Sequence, residues 1–217
     1  LGIAHASQAR LELATGQAAT ALLLARQALA ELAAPGSGAH RAGAWQTVVR
    51  SLDKLQRADE AAIEVRAFAA WAATSSDASI TLAARLVQAE QAAVEQHPAE
   101  ARPLFEEALG MARRWSAPDI LREVAASYGR FLLAQGELEP AGTVIGLVSR
   151  YAESDFDAAL LQAELYRALN QEQAAASALA QARRLAGERI LPAVFSAGAA
   201  QVMPKSSSGN GLETNAQ

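Results

Sequence analysis

The 217-residue sequence predicts an all-α protein, a solenoid of five helical hairpins. Three observations predict it. Ala makes up about a quarter of the chain, aromatics are 5% and β-branched residues are few, a composition that favours helix almost throughout. A short turn recurs at a fixed period. Each turn is flanked on both sides by stretches with apolar residues at helical spacing.

The recurring turn is a turn-forming residue, a few small or acidic residues, then an Ala opening a new helix. Its copies are Gly16-Gln17-Ala18-Ala19-Thr20-Ala21, Gln56-Arg57-Ala58-Asp59-Glu60-Ala61, Gln96-His97-Pro98-Ala99-Glu100-Ala101 and Gly136-Glu137-Leu138-Glu139-Pro140-Ala141. The four closing alanines are spaced 40 residues apart, and a fifth copy, Asn170-Gln171-Glu172-Gln173-Ala174-Ala175, follows after 34. Such a period is the signature of a repeat architecture.

Five helix–turn–helix units follow: 2–34, 39–73, 77–114, 117–152 and 155–187. In the first, Gly16 divides two helices, and Ala34-Pro35-Gly36-Ser37-Gly38 ends the unit. The second runs from a helix over Ala44–Leu55 to one over Ala61–Ala73, whose Ala61, Val65 and Phe68 share a face. Thr74-Ser75-Ser76-Asp77 offers several N-caps to the third, whose second helix aligns Ala101, Phe105 and Ala108. Ser116-Ala117-Pro118-Asp119 and Ser154-Asp155-Phe156-Asp157 resemble capping boxes opening the fourth and fifth. Pro98 and Pro140 lie before or within a first helical turn, where a missing N–H does no harm. Beyond 187 the pattern changes. Arg189–Met203 holds Ile190, Leu191, Val194, Phe195 and Val202, broken by Pro192 and Gly198, and reads as a short capping helix over the last hairpin. From Pro204 the Ser- and Gly-rich composition reads as a disordered tail.

The units resemble tetratricopeptide repeats, whose pattern is W-x₂-L-G-x₂-Y, then A-x₃-F, then P. The fourth unit gives Tyr128-Gly129-x₂-Leu132, then Gly136 and Ala141-x₃-Ile145. The second gives Trp45-x₂-Val48-Val49-x₂-Leu52, then Ala61-x₃-Val65. Ala101-x₃-Phe105 carries the third; Ala163-x₂-Tyr166 and Ala175-x₃-Leu179 carry the fifth. The first unit departs most, with Glu12 where the pattern wants an aromatic, and the closing Pro is missing or displaced. The period of 40 rather than 34 is similar to the longer repeats of bacterial regulators and signalling ATPases. The resemblance covers about 1–187. It implies a right-handed superhelix with a concave face lined by the first helix of each hairpin. Small residues at Ala61, Ala101, Gly129, Ala141 and Ala175 are expected where helices approach most closely.

This register names a groove. One row lies six residues before each turn: Arg10, Arg50, Glu90, Arg130 and Glu164. Neighbouring groove candidates are Gln46, Asp53, Leu86, Glu123, Leu133, Asp157, Leu160 and Arg167. Arg50 and Arg130 suit a partner's carboxylate, which a guanidinium holds bidentately. The alternating signs suit an intramolecular ladder, Arg50–Glu90–Arg130–Glu164, equally in kind and better in pattern. The clamp of chaperone-tail-binding tetratricopeptide domains needs Lys and Asn on first helices. Within the repeats only Lys54 and Asn170 exist, so that subclass is excluded.

Other chemistry finds little support. The chain has no Cys, which removes disulfides, thiolate ligation and a thiol nucleophile. His5, His40 and His97 fall in different units without metal-ligand spacing, so no metal and no cofactor are expected. Gly36-Ser37-Gly38 lacks the Lys-Ser/Thr of a phosphate loop. Glu106-Glu107 and Asp155/Asp157 read as solvated faces, and no catalytic constellation is discernible. A net charge of −4 argues against nucleic acid, including stacking on Arg113-Arg114-Trp115. Trp71, Trp115 and Phe68 cluster near the ends of second helices and are expected to pack between repeats, the alternative being an exposed aromatic patch on the convex side for a partner domain. Ile190–Phe195 is either a cap on the last hairpin or a docking segment. No apolar run approaches membrane-spanning length and no signal peptide stands near the start, so a cytoplasmic location is expected, with the periplasm left open. Leu at position 1 suggests a fragment or processed product.

The function these readings imply is a non-catalytic protein–protein interaction scaffold. It would bind a protein or peptide segment in the concave groove and form the C-terminal part of a larger bacterial regulatory or signalling protein. The alternatives are an effector-sensing regulatory domain, marked by a closed apolar pocket, and a self-assembling structural solenoid.

Overall fold

The computed structural model describes residues 1–33, 36–115, 117–192 and 195. Ser116, part of the first expected capping box, and the segment from 196 onward, with its expected helix end and tail, lie outside them. Among the described residues there are ten α-helices and no strand. They are α1 (Gly2–Ala14), α2 (Ala18–Glu31), α3 (Gly38–Lys54), α4 (Ala58–Ala72), α5 (Ala78–Val94), α6 (Pro98–Arg114), α7 (Pro118–Ala134), α8 (Leu138–Gly146), α9 (Phe156–Ala168) and α10 (Glu172–Leu185). No helix among the described residues is long and apolar enough to cross a membrane.

The turns inside the hairpins share one geometry. Gly16, Gln56, Gln96, Gly136 and Asn170 all have left-handed backbones, with φ of 82°, 59°, 61°, 76° and 56°. The next residue's N–H donates to the carbonyl five positions back: Gln17 to Glu12, Arg57 to Leu52, His97 to Ala92, Glu137 to Leu132 and Gln171 to Tyr166. The left-handed residue's own N–H donates to the carbonyl three back. This paired arrangement satisfies two helix-end carbonyls and reverses the chain tightly. Three of the five positions carry Gln or Asn rather than Gly. The left-handed backbone costs an ordinary L-residue about 1 kcal/mol, so the tight turn is held by the hairpin around it.

Helix starts at the joints between hairpins are individual. Asp77 caps α5 by accepting from the Ser79 N–H at 2.8 Å, and Asp155 caps α9 by accepting from the Ala158 N–H at 2.9 Å. Ala117 precedes α7 with no side-chain cap, and Pro118 fills the first turn. The second helix of the fourth unit is shorter than the sequence predicts. It ends at Gly146, tightens through Leu147→Val144 and Val148→Ile145 bonds, and continues as a 3-10 turn over Ser149–Tyr151. Gly142 and Gly146 within nine residues weaken the α-helix. The tighter winding leaves Val148 and Ala152 buried.

Each helix packs on its successor along the chain. In addition α1 touches α3, α3 touches α5, α5 touches α7 and α7 touches α9. No comparable contact joins one second helix to the next among the described residues. First helices therefore lie close together while second helices splay, and the first helices form the inner face. The core is continuous through α5, whose Leu82, Leu86 and Ala89 join the cluster toward α9 and whose Ile80, Ala83 and Val87 join the cluster toward α1. Phe68 and Phe105 are the largest fully buried side chains, each worth about 1.5–3 kcal/mol in burial.

Small residues sit where helices meet. Ala21, Ala61, Ala101 and Ala141 are completely buried. At Gly129 a Cβ would lie 2.9 Å from Ile145 Cγ1, so α7 and α8 approach too closely for a side chain. Ala175 departs from the expectation and is half-buried, because no described helix packs beyond α10. The aromatic expectation also changes. Trp45, not Trp115, completes the set with Phe68 and Trp71, with ring centroids 5.3–6.0 Å apart. Trp115 packs against the other cluster, around Phe105, Tyr128 and Phe131, because it follows α6 rather than α4.

Candidate functional site

The inner face carries a trough of about 780 Å³. Every first helix contributes to it: Arg10 from α1, Arg50 from α3, Glu90 from α5, Glu123 and Arg130 from α7, and Asp157 from α9. The register explains most of this. On α1, α3, α5 and α7 the residue six before the turn lines the trough, while α9 reaches it through Asp157, thirteen before its turn, and places its row member Glu164 in an adjoining hollow.

Arg50 is the hub. Its Nε and Nη2 donate to Glu90 Oε2 and Oε1 at 2.9 and 2.8 Å, a bidentate pair between hairpins, and Nη1 donates to Glu123 Oε1 at 2.7 Å. Glu90 Oε1 also accepts from the Ser127 hydroxyl at 2.7 Å. Burial disfavours the charged guanidinium, but the Glu90 and Glu123 carboxylates outweigh it and hold Arg50 protonated well above its ordinary range. One helical turn away, Asp53 has a buried Oδ1 without a hydrogen-bond partner. Burial, then the Glu90 and Glu95 charges, push its carboxyl up to about 6, with Lys54 and Arg50 opposing.

Arg130 Nε donates to Glu164 Oε2 at 2.9 Å. Burial raises the Glu164 carboxyl above the usual range, and Arg130 opposes the rise. The expected ladder is thus two separate rungs, Arg50–Glu90 and Arg130–Glu164. The Glu90–Arg130 rung is not made: Glu90 is occupied by Arg50 and Ser127. The two arginines offered to a partner's carboxylate already hold intramolecular ones. Arg10 differs. It is exposed on α1 and pairs with none of the described residues.

Leu86 and Leu160 are not groove residues. They are 0% and 3% exposed, inside the clusters that α5 and α9 share with helices on either side. A first helix flanked on both sides leaves only a narrow strip free, and those two positions fall outside it. Gln46 is half-buried on α3. Leu133 lines a second hollow of about 530 Å³ beside the trough, with Arg130, Glu164, Pro192 and Phe195. Arg167 is exposed there, its guanidinium 5.5 Å from the Phe195 ring centre.

The trough also holds residues that sequence reasoning missed. Arg122 joins Asp119 and, at 3.2 Å, Asp155, and lies 5.0 Å over the Tyr151 ring. Asp119, Ser127 and Arg122 share the α7 stripe of Glu123 and Arg130 at intervals of three, four and seven, a signal present in the sequence. Arg189 has no such signal, since it enters from beyond the repeats. The lining holds Arg10, Arg50, Arg122, Arg130 and Arg189 against Glu90, Asp119, Glu123, Asp155 and Asp157. With cations and carboxylates balanced, the trough suits a polar ligand of mixed charge better than a polyanion. No family model, curated protein or solved structure matches the chain.

Proposed function

We propose that the chain is a non-catalytic protein-interaction module of tetratricopeptide type, whose concave face takes a segment of a partner protein. One observation carries the reading: a single trough receives side chains from all five first helices. A segment lying along it would touch every hairpin, which is how solenoids use a concave surface. The recurrent turn geometry supports the tetratricopeptide resemblance. The charged lining favours a peptide over the effector alternative, since an effector pocket is expected to be closed and mostly apolar.

The test uses groove residues that the core does not need. Arg10 and Asp157 are exposed on the inner face, so Arg10→Glu/Asp157→Lys should leave the melting temperature within about 2 °C of the parent, as surface changes do. Lysate of the source organism is passed over parent and variant, and retained proteins are identified by mass spectrometry. A partner kept by the parent and lost by the folded variant is the expected result. Identical recovery on both would move the binding surface off the concave face.

A further inference from the structure

The segment after α10 reaches back across the molecule. The Ile190 N–H points at the Ala14 carbonyl, 3.5 Å away, at the end of α1. The Ile190 side chain lies over the α1–α2 turn so closely that a Cβ on Gly16 would stand 2.4 Å from its Cδ1. Arg189 lines the trough, its guanidinium 5.3 Å from the centre of the Phe156 ring on α9. Pro192 and Phe195 line the adjoining hollow with Arg130, Leu133 and Glu164. A segment that begins at the last hairpin therefore crosses the inner face and meets the first.

Its two ends are held differently. Phe195 is 6% exposed, packs in the α9–α10 cluster, lies under Arg167 and accepts a hydrogen bond from Arg183 Nη2 at 3.3 Å through its carbonyl. Ile190 is 64% exposed, and its contact with the first hairpin is shallow. Such a segment is held to the last hairpin on both sides, by α10 before it and by Phe195 after it, and only its Ile190 contact with the first hairpin can lift away.

We propose that Arg189–Pro192, with Phe195, are an internal ligand of the concave face. They take the seat of a partner segment, and the partner that displaces them has the same chemistry: a basic residue, then aliphatic residues with a proline, then an aromatic. Arg189 supplies the cation for a rim that includes Asp119, Asp155 and Asp157, Ile190 covers the first turn, and Phe195 fills the apolar end. This rests on the concave face being a protein-binding surface.

The chain has no Cys, so paired labels can be placed on the full-length protein through Gln17→Cys and Glu188→Cys. Pulsed electron resonance on the spin-labelled chain should give one short, narrow distance. Adding Ile190→Asp/Phe195→Asp should lengthen and broaden it, and Ile190→Asp alone, at a mostly exposed side chain, should do so without unfolding the last hairpin. A broad distribution in the parent overturns the internal seat. In the second arm, a fluorescent peptide of residues 187–197 is titrated into the parent and into full-length Ile190→Asp. The variant should bind it at least about tenfold more tightly, because its seat is open more of the time. Equal affinity, or no saturable binding to the variant, overturns the proposal. If it falls while the Arg10/Asp157 variant still loses a lysate partner, the groove reading stands and only the seat assignment is wrong.

Discussion

The two edges of the array are built on different terms. Along one edge five turns repeat a single geometry, with the same left-handed position and the same pair of backbone hydrogen bonds. Along the other, the joints between hairpins share no single construction. Asp77 caps α5 at one joint, Pro118 opens α7 with no side-chain cap at another, and the joint between α8 and α9 combines a 3-10 turn with the Asp155 cap. The turn edge sets the height of each first helix and so aligns the groove row. The joint edge sets how neighbouring hairpins lean, and there each pair needs its own solution. Backbone hydrogen bonds can repeat regardless of side chain; packing between hairpins cannot.

The largest expected effect tests the seam between the edges. Ala141 and Ala175 occupy the same register position, but only Ala141 is fully buried. Ala141→Phe should overpack α7 against α8 and cost about 1–3 kcal/mol, while Ala175→Phe should stay within about 0.5 kcal/mol. Equal losses in thermal melts would mean the register does not set the packing.

At the joint edge, Asp155→Ala removes an N-cap together with the Arg122 pair, whose side chains are each about a quarter exposed. It should cost about 1–2 kcal/mol, more than the cap alone at Asp77→Ala. Denaturant midpoints showing the reverse order would remove the ion pair from the account.

Between the edges, Asp53 makes the stability of the fold pH-dependent. Its folded carboxyl titrates near 6, against about 4 in an unfolded chain. The folded state then holds the proton more tightly, so this stabilisation is complete below pH 4 and is lost as pH rises through 6. Asp53→Asn should match the parent near pH 4 and be about 1–2 kcal/mol more stable at pH 7.5, after allowance for the part of the side chain in solvent. A pH-independent difference in stability would remove the assigned cause.

The smallest effect belongs to the turn edge. Gly136→Gln should lose about 1 kcal/mol, and Gln96→Gly should gain about 0.5 kcal/mol, because relief of the left-handed strain exceeds the added chain entropy only slightly. Opposite signs at two equivalent turns, read by the same unfolding assay, would confirm that one geometry serves both.

The turns were the most legible feature. Gly16, Gln56, Gln96, Gly136 and Asn170 were recognisable from recurrence, because the hydrogen bonding there is local and repeats with the chain. The groove row was partly legible. The spacing placed Arg50 beside Glu90 and Arg130 beside Glu164, since adjacent first helices hold equivalent residues side by side. It did not reveal that Glu123 and Ser127 would saturate the first pair and break the ladder. That depends on how far α7 lies from α3 across α5. Leu86 and Leu160 were misplaced for a related reason: apolar periodicity marks a buried face but not its width when neighbours press from both sides.

From its sequence alone this chain is committed to helix, to five tight reversals and to a common height for its inner row, because these follow from propensity and from contacts near in the chain. Only the tertiary structure decided which charges pair, which leucines are covered, and that Arg189 enters the trough and Ile190 returns to the first hairpin. Those outcomes depend on the cumulative lean of hairpin on hairpin. No local pattern encodes that sum, and it becomes visible only when the last repeat is placed relative to the first.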